Sequence, residues 1–71
     1  MNKEQIEEKI LEAISLEKTN LEISKELKMS IKNVEKRIKS LFHAFKVKSR
    51  AGLVREYMKE KYSRIFFHEE L

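Results

Sequence analysis

The sequence predicts an all-α fold, a compact four-helix domain that contains a helix-turn-helix. The 71 residues include no proline and a single glycine, Gly52, and the near absence of these helix breakers favours helix almost throughout. Apolar residues recur at three- and four-residue spacing, which is typical of amphipathic helices. Asparagine, threonine or serine, the residues preferred at helix N-caps, precedes each apolar stretch. We predict one domain over residues 1–71, with helices at about 3–15, 20–27, 31–45 and 50–66.

The first two predicted helices both begin with a capping-box pattern. Asn2 is followed three residues later by Gln5, and Thr19 by Glu22, so each pair can satisfy two free N–H groups at a helix start. The apolar positions that follow share one face of each helix and are Ile6, Ile10, Ala13 and Ile14, with Leu11 at the edge, and then Ile23 and Leu27. We expect both helices to pack against the core through these faces.

The third predicted helix carries the most regular apolar stripe in the chain. Lys28 and Met29 are expected to form the turn before it, and Ser30 to cap it. The stripe consists of Ile31, Val34, Ile38, Leu41, Phe42 and Phe45. A stripe at this spacing is nearly always core, and we interpret it so.

The fourth predicted helix follows a polar loop at 46–49, and Ser49 can cap it. It has more apolar residues than a single C-terminal helix needs. One interpretation is that all of them fold back on the core. The other is that part of the helix is a dimer interface, formed by Tyr57, Tyr62, Ile65 and Phe66.

Positive charge is concentrated on one third of the chain. Residues 28–50 contain eight basic side chains and one acid, Glu35, for a net charge of +7. Residues 1–27 carry −3 and residues 51–71 carry 0. A solvated helix face usually mixes both signs, and residues 28–50 do not. A basic helix displayed by a helix-turn-helix is the electrostatic and geometric pattern of a protein that reads duplex DNA.

Composition argues against several other classes of function. The chain has no cysteine and only two isolated histidines, so we expect no metal site, no cofactor, no small-molecule substrate and no enzyme activity. The longest apolar run is 65–67, too short for a signal peptide or a membrane span, and we expect a cytoplasmic protein. A membrane-surface role is disfavoured, since the basic helix commits its apolar stripe to the core.

From about Glu7 to Met58 the chain resembles the LuxR/GerE-type helix-turn-helix of bacterial transcription regulators. Upstream, the positions in register with the family pattern are Thr19, Asn20, Glu22, Ile23, Leu27, Met29, Ser30 and Val34. Downstream, Leu41, Phe45, Val47, Arg50, Leu53 and Val54 continue the register without a gap. This distributed spacing is more specific than any single short motif.

The departures from the family pattern are informative. Glu17 and Lys46 stand where the family commonly has glycine, so we expect both turns to be made differently. Asn33 replaces a threonine and Arg37 a histidine, while Glu35 stands where members usually place a basic residue. The resemblance therefore predicts the fold without predicting the preferred base sequence.

The resemblance implies a bacterial or phage transcription regulator that acts as a homodimer. The second and third helices would form the helix-turn-helix, the third would enter the major groove of double-stranded DNA, and the fourth would mediate dimerisation. The chain looks like a stand-alone version of a domain that larger members carry at their C-terminus.

We expect two sets of DNA contacts. The predicted base-reading residues are Lys32, Asn33, Glu35, Lys36 and Lys39. The predicted phosphate contacts are Thr19, Ser30, Arg37, Lys46, Lys48 and Arg50. Glu35 is either a base reader, a partner that orients Lys32 or Lys39, or a member of a plain intrahelical ion pair. Asn33 either pairs with adenine or serves the helix cap.

A different class of function remains open at this point. The chain could be a protein-docking module, an anti-activator or adaptor that reuses this fold to bind RNA polymerase or another regulator. Glu35 and the apolar segment 65–67 favour this alternative. Charge reversal at Lys36 and Lys39 would distinguish the two, because it would abolish DNA binding without affecting a partner that docks elsewhere.

Overall fold

The computed structural model describes residues 1–69, and it describes the side chains of residues 1–63. Four helices follow one another, α1 (Lys3–Ser15), α2 (Asn20–Leu27), α3 (Ile31–Phe45) and α4 (Arg50–Glu69). No strand occurs in residues 1–69, and the predicted all-α fold class is confirmed. The fourth helix continues to Glu69, beyond the predicted end near residue 66.

Capping boxes start α1 and α2, as the sequence predicts. The Asn2 side chain accepts from the Gln5 N–H at 2.9 Å, and the Gln5 side chain accepts from the Asn2 N–H at 3.0 Å. The Thr19 hydroxyl accepts from the Glu22 N–H at 3.2 Å, and the Glu22 carboxylate accepts from the Thr19 N–H at 2.9 Å. Each box satisfies two of the N–H groups that a helix start leaves without a partner.

Single serine caps start the other two helices. The Ser30 hydroxyl accepts from the Asn33 N–H at 3.1 Å, and the Ser49 hydroxyl accepts from the Gly52 N–H at 3.0 Å. Both caps agree with the sequence prediction. They fix where α3 and α4 begin and therefore which faces these helices present.

Three non-glycine residues adopt left-handed backbone between the helices, Glu17 (φ 61°), Lys28 (φ 56°) and Lys46 (φ 57°). The expectation that the turns at Glu17 and Lys46 would be made differently from glycine turns is wrong. The residue after each one donates to a carbonyl inside the preceding helix, in the bonds Lys18 N to Ala13 O (3.1 Å), Met29 N to Ser24 O (2.9 Å) and Val47 N to Phe42 O (3.0 Å). These helix-ending bonds offset a left-handed strain of roughly 1–2 kcal/mol per residue.

All four helices contribute to one core. Its buried apolar members are Ile10, Leu11, Ala13, Ile14, Ile23, Val34, Ile38, Leu41, Leu53 and Tyr57. The α3 stripe supplies Val34, Ile38 and Leu41, while Ile31, at its start, is 40% exposed. The sequence prediction of the stripe therefore holds for the middle of α3 and not for its first residue.

Tyr57 corrects one of the predicted dimer contacts. Its side chain is 3% exposed within the chain's own core, and its hydroxyl donates to a Glu8 carboxylate oxygen at 3.0 Å. It ties α4 to α1 and leaves no surface for a second chain. Tyr62 is 55% exposed. The predicted contacts of Ile65 and Phe66 fall on side chains outside the described residues.

Candidate nucleic-acid interface

The α2–turn–α3 unit places α3 at the surface of the molecule. Ile23 of α2 and Val34 of α3 are both fully buried, and they anchor the two helices in the core. The connection spans only residues 28–30, so the crossing of the helices is tightly constrained. The short turn and the two buried anchors give the helix-turn-helix arrangement that the sequence predicts.

The outward face of α3 is a stripe of lysines. Lys32, Lys36 and Lys39 are all exposed. At about 100° per residue they lie within roughly 60° of one another, on the side opposite the buried Val34 and Leu41. Burial of the apolar face thus forces the three ammonium groups outward. Such a stripe is what a helix in the major groove presents to base edges and neighbouring phosphates.

These lysines have no carboxylate partner in the described part of the chain. Ion pairs with nitrogen–oxygen distances up to 4.0 Å join Lys18 to Glu26, and join Glu56 to Arg55 and to Lys59. None of them involves a residue of α3. The positive charge of the stripe is therefore not neutralised by the side chains of residues 1–63, so its field extends into solvent.

Glu35 is exposed on the edge of the same stripe. It is one helical turn from Lys32 and from Lys39, a spacing that allows an ion pair. Neither pair is formed within 4.0 Å among the described residues. The structure therefore does not show the intrahelical ion pair that was one of the three roles predicted for Glu35.

Asn33 and Arg37 lie on a different side of α3, towards α1. They line a small surface pocket together with Lys3, Glu7, Lys36 and Ser40. Arg37 is half-buried, and its Nε is buried without a hydrogen-bond partner in the described part of the chain. An anion from outside cannot reach this buried Nε and could meet only the solvent-facing part of the guanidinium. Asn33 lies farther from the centre of the lysine stripe than Glu35 does.

The other predicted phosphate contacts lie at helix ends. Thr19 and Ser30 are exposed, and their hydroxyl oxygens accept the capping bonds described above. A hydroxyl that accepts one bond keeps its own hydrogen for donation, so each can still donate to a phosphate. Lys46 and Lys48 are exposed just beyond α3. These four side chains stay available to solvent, as a phosphate contact requires.

Arg50 has a different environment from the one the sequence suggests. It is half-buried, with Nη1 donating to the Asn20 side chain at 3.1 Å and Nη2 donating to the Lys18 carbonyl at 2.7 Å. The guanidinium therefore ties the start of α4 to the start of α2. We reassign Arg50 from phosphate contact to structural tether. Sequence reasoning missed this role because its partners are 30 and 32 residues away, beyond any helical spacing.

The buried anchors, the short turn and the unpaired lysine stripe define a helix-turn-helix DNA-binding domain. The chain belongs to the luxR family of bacterial regulatory proteins, because the GerE model of that family matches residues 5–57, well over half of the sequence. None of the curated proteins and none of the solved structures compared with the chain gives a match. The family consists of DNA-binding transcription regulators rather than enzymes, and this chain is a DNA-binding regulator of that kind.

Membrane-spanning helices and metal-binding clusters are both absent from the part of the chain that the structure describes. No helix there is both long enough and apolar enough to cross a membrane. No group of three or more histidine, aspartate or glutamate side chains comes together there as a metal site would require.

Proposed function

We propose that the protein is a sequence-specific transcription regulator that binds double-stranded DNA as a homodimer, with α3 in the major groove. The observation that supports this most is the stripe of exposed lysines opposite the buried face of α3, which form no ion pair among the described residues. Like charges gathered on one helix destabilise it. A surface of this kind gains its stabilisation from a polyanion, and duplex DNA is the polyanion that this family binds.

Base edges and phosphates would use different side chains. Lys32, Lys36 and Lys39 can donate to guanine O6 and N7, the usual lysine contact in the major groove. The phosphate contacts are then Thr19, Ser30, Arg37, Lys46 and Lys48, all exposed or half-exposed. These contacts would set affinity and orientation without reading sequence. The reading of Asn33 as an adenine contact is weaker, because the side chain lies towards α1.

The homodimer would form through α4. With Leu53 and Tyr57 in the core, the large apolar side chains that remain on the described part of this helix are Val54, Met58 and Tyr62, four residues apart, so they follow one face. Val54 and Met58 are half-buried and Tyr62 is 55% exposed. A second copy of this face would cover them. Two-fold symmetry would then place two α3 helices on successive half-sites about one DNA turn apart, in the bacterial cytoplasm.

The direct test is fluorescence anisotropy with duplex DNA from the region flanking the gene and with a scrambled duplex, across a salt series. If each subunit neutralises roughly four phosphates, the logarithm of affinity should fall against the logarithm of salt concentration with a slope on the order of −7. We expect the flanking duplex to bind more tightly than the scrambled one at every salt concentration.

Charge reversal gives the matched control. The double variant Lys36→Glu, Lys39→Glu should lose DNA binding, whereas Lys9→Glu, Lys25→Glu changes the same total charge on α1 and α2 and should bind nearly as tightly. Both pairs are exposed, so thermal unfolding should show all variants folded. Equal loss in the two double variants would mean that net charge alone matters, and the assignment of α3 would be wrong.

The dimer is tested by sedimentation velocity. Met58→Glu and Tyr62→Glu should shift the protein towards monomer and weaken DNA binding, since each subunit would then bind its half-site alone. Ser63→Glu, at a position of α4 that is exposed like Tyr62, is the control and should remain dimeric. A wild-type protein that sediments as a monomer at all concentrations would exclude this interface.

A second candidate function is a protein-docking module that binds RNA polymerase or another regulator. Met1 and Leu16 are 68% and 61% exposed, and with Leu27 they line a surface pocket of about 200 Å³ on the side of α1 and α2. Charged side chains complete the lining, namely Lys9, Glu12, Lys18 and Glu26, and exposed apolar groups with a polar rim are typical of a site for a protein partner. Weak binding, equal on both duplexes and unaffected by the α3 charge reversal, would favour this candidate.

A further inference from the structure

Glu35 is the one acidic residue within 28–50, a segment with eight basic side chains. It is exposed on the edge of the lysine stripe and forms no ion pair within 4.0 Å among the described residues, although Lys32 and Lys39 are each one turn away. A carboxylate there weakens the attraction of α3 for phosphates. If Glu35 contributes to binding, its carboxylate must accept a hydrogen bond from a donor group on the DNA.

The major groove offers few such groups. An ionised carboxylate can only accept hydrogen bonds. Guanine presents two acceptors there, N7 and O6, and thymine presents O4 and a methyl group. Cytosine presents the N4 amino donor alone, whereas adenine presents its N6 donor beside the N7 acceptor. A carboxylate is thus satisfied best by cytosine and is repelled most by guanine.

We propose that Glu35 accepts a hydrogen bond from the N4 amino group of a cytosine in each half-site and thereby excludes guanine at that position. The proposal rests on the proposed function, since it requires α3 to lie in the major groove. Lys32 and Lys39, about 5–6 Å away between Cβ atoms, flank the carboxylate. They reduce its repulsion from the phosphates and can donate to guanine O6 and N7 in the same or a neighbouring base pair.

Selection from a pool of randomised duplexes tests the preference. The wild-type protein should enrich a site with cytosine at one position of each half-site. Glu35→Ala should lose the preference at that position alone and keep the others. Glu35→Gln should move it towards adenine, because an amide can both accept from N6 and donate to N7. The control Glu12→Gln removes an exposed acid from α1 and should select the wild-type site.

A chemical substitution in the DNA tests the hydrogen bond itself. Replacing the selected cytosine by N4-methylcytosine removes the amino hydrogen that faces the groove and leaves base pairing in place. This change should weaken wild-type binding by roughly 5-fold to 150-fold per half-site, the range expected for one base contact. Glu35→Ala should bind the two duplexes equally, since the contact is already absent.

Two outcomes would overturn the proposal. In one, Glu35→Ala binds every duplex more tightly and still selects cytosine, so the carboxylate is only a repulsive charge. In the other, N4-methylation weakens wild type and Glu35→Ala equally, so the contact belongs to another residue. Both differ from failure of the proposed function itself, in which the wild-type protein enriches no sequence or the α3 charge reversal leaves binding intact.

Discussion

The charged residues of α1 and α2 are used differently from those of α3. On α2 the Glu22 carboxylate accepts from the Thr19 backbone N–H, a bond that holds the pKa of Glu22 below its ordinary value. Between the two helices, Lys18 donates to Glu26 at 2.8 Å, and this hydrogen bond raises the pKa of Lys18. On α3 the exposed lysines have no such partner in the described part of the chain.

This difference separates charges that stabilise the fold from charges that serve a ligand. A carboxylate that satisfies a helix start contributes to the free energy of folding. Like charges at neighbouring positions of one helix subtract from it. The comparison therefore predicts that substitutions on α1, α2 and the core will lower stability, whereas substitutions on the α3 stripe will change DNA binding without lowering stability.

The largest effect is expected in the core that supports both regions. Leu41 is 3% exposed, and Leu41→Ala should lower the free energy of unfolding by roughly 2–4 kcal/mol, because it removes buried methyl groups and leaves a cavity. The matched control is Leu21→Ala, at a position that is 49% exposed. Urea denaturation measures both. Equal stability of Leu41→Ala and wild type would mean that α3 faces the other way.

The second-largest effect on stability is expected at Arg50, whose hydrogen bonds join the start of α4 to the start of α2. Arg50→Ala removes two hydrogen bonds from a half-buried guanidinium and should cost about 1–3 kcal/mol of stability. Arg55→Ala, at a side chain that is 72% exposed, is the control. If Arg50→Ala instead leaves stability unchanged and makes the salt dependence of DNA binding shallower by about 1 per subunit, the original phosphate assignment is right.

The cap of α2 should have a smaller effect. Thr19→Ala removes the hydroxyl that accepts from the Glu22 N–H, and N-cap replacements of this kind cost about 1 kcal/mol. Thr19→Ser keeps the hydroxyl and should retain most of the stability. Thermal unfolding of the three proteins makes the comparison. If the serine variant is as unstable as the alanine variant, the threonine methyl group and not the cap is what matters.

The sequence was sufficient for features that depend on residues close together in the chain. The capping residues Asn2, Thr19, Ser30 and Ser49 were all recognisable, because a cap and the backbone N–H that donates to it are three positions apart. The middle of the α3 stripe was equally clear. The exposure of the α3 lysines follows from this apolar stripe, since a helix that buries one face must expose the opposite one.

Features that depend on distant residues could not be predicted. The spacing of apolar residues on α4 does not distinguish a core face from a dimer face. Tyr57 was predicted on the dimer face, and the structure buries it in the core. Its bond to Glu8 spans 49 residues. In the sequence, Arg50 is one basic residue among the eight in 28–50. Only the fold brings its guanidinium to the Asn20 side chain and the Lys18 carbonyl. Left-handed Glu17 and Lys46 show that a missing glycine does not imply a different turn.

The Glu22 carboxylate at the start of α2 makes the stability of the fold depend on pH. Its effect on stability should be smaller than the loss of the whole cap. Because the folded-state pKa of Glu22 is lowered, its charge contributes stability above the ordinary carboxyl pKa, and that contribution is lost as the pH falls through the folded value. Glu22→Gln keeps an acceptor that does not titrate. Its stability should fall less than that of wild type on acidification, and identical acid profiles would contradict the role of the charge.

The smallest effect has the opposite sign and tests the comparison most directly. Lys36 is three and four residues from Lys39 and Lys32, so Lys36→Gln relieves two repulsions and should raise stability by about 0.2–0.5 kcal/mol per pair at low salt. Added salt should remove the gain. Lys9→Gln on α1, three residues before Glu12 and directly after Glu8, should lower stability slightly instead. If urea denaturation shows both variants less stable, the α3 lysines contribute to folding and the division between the two regions fails. If Lys36→Gln is more stable yet binds DNA more weakly, stability has been given up on this face for binding.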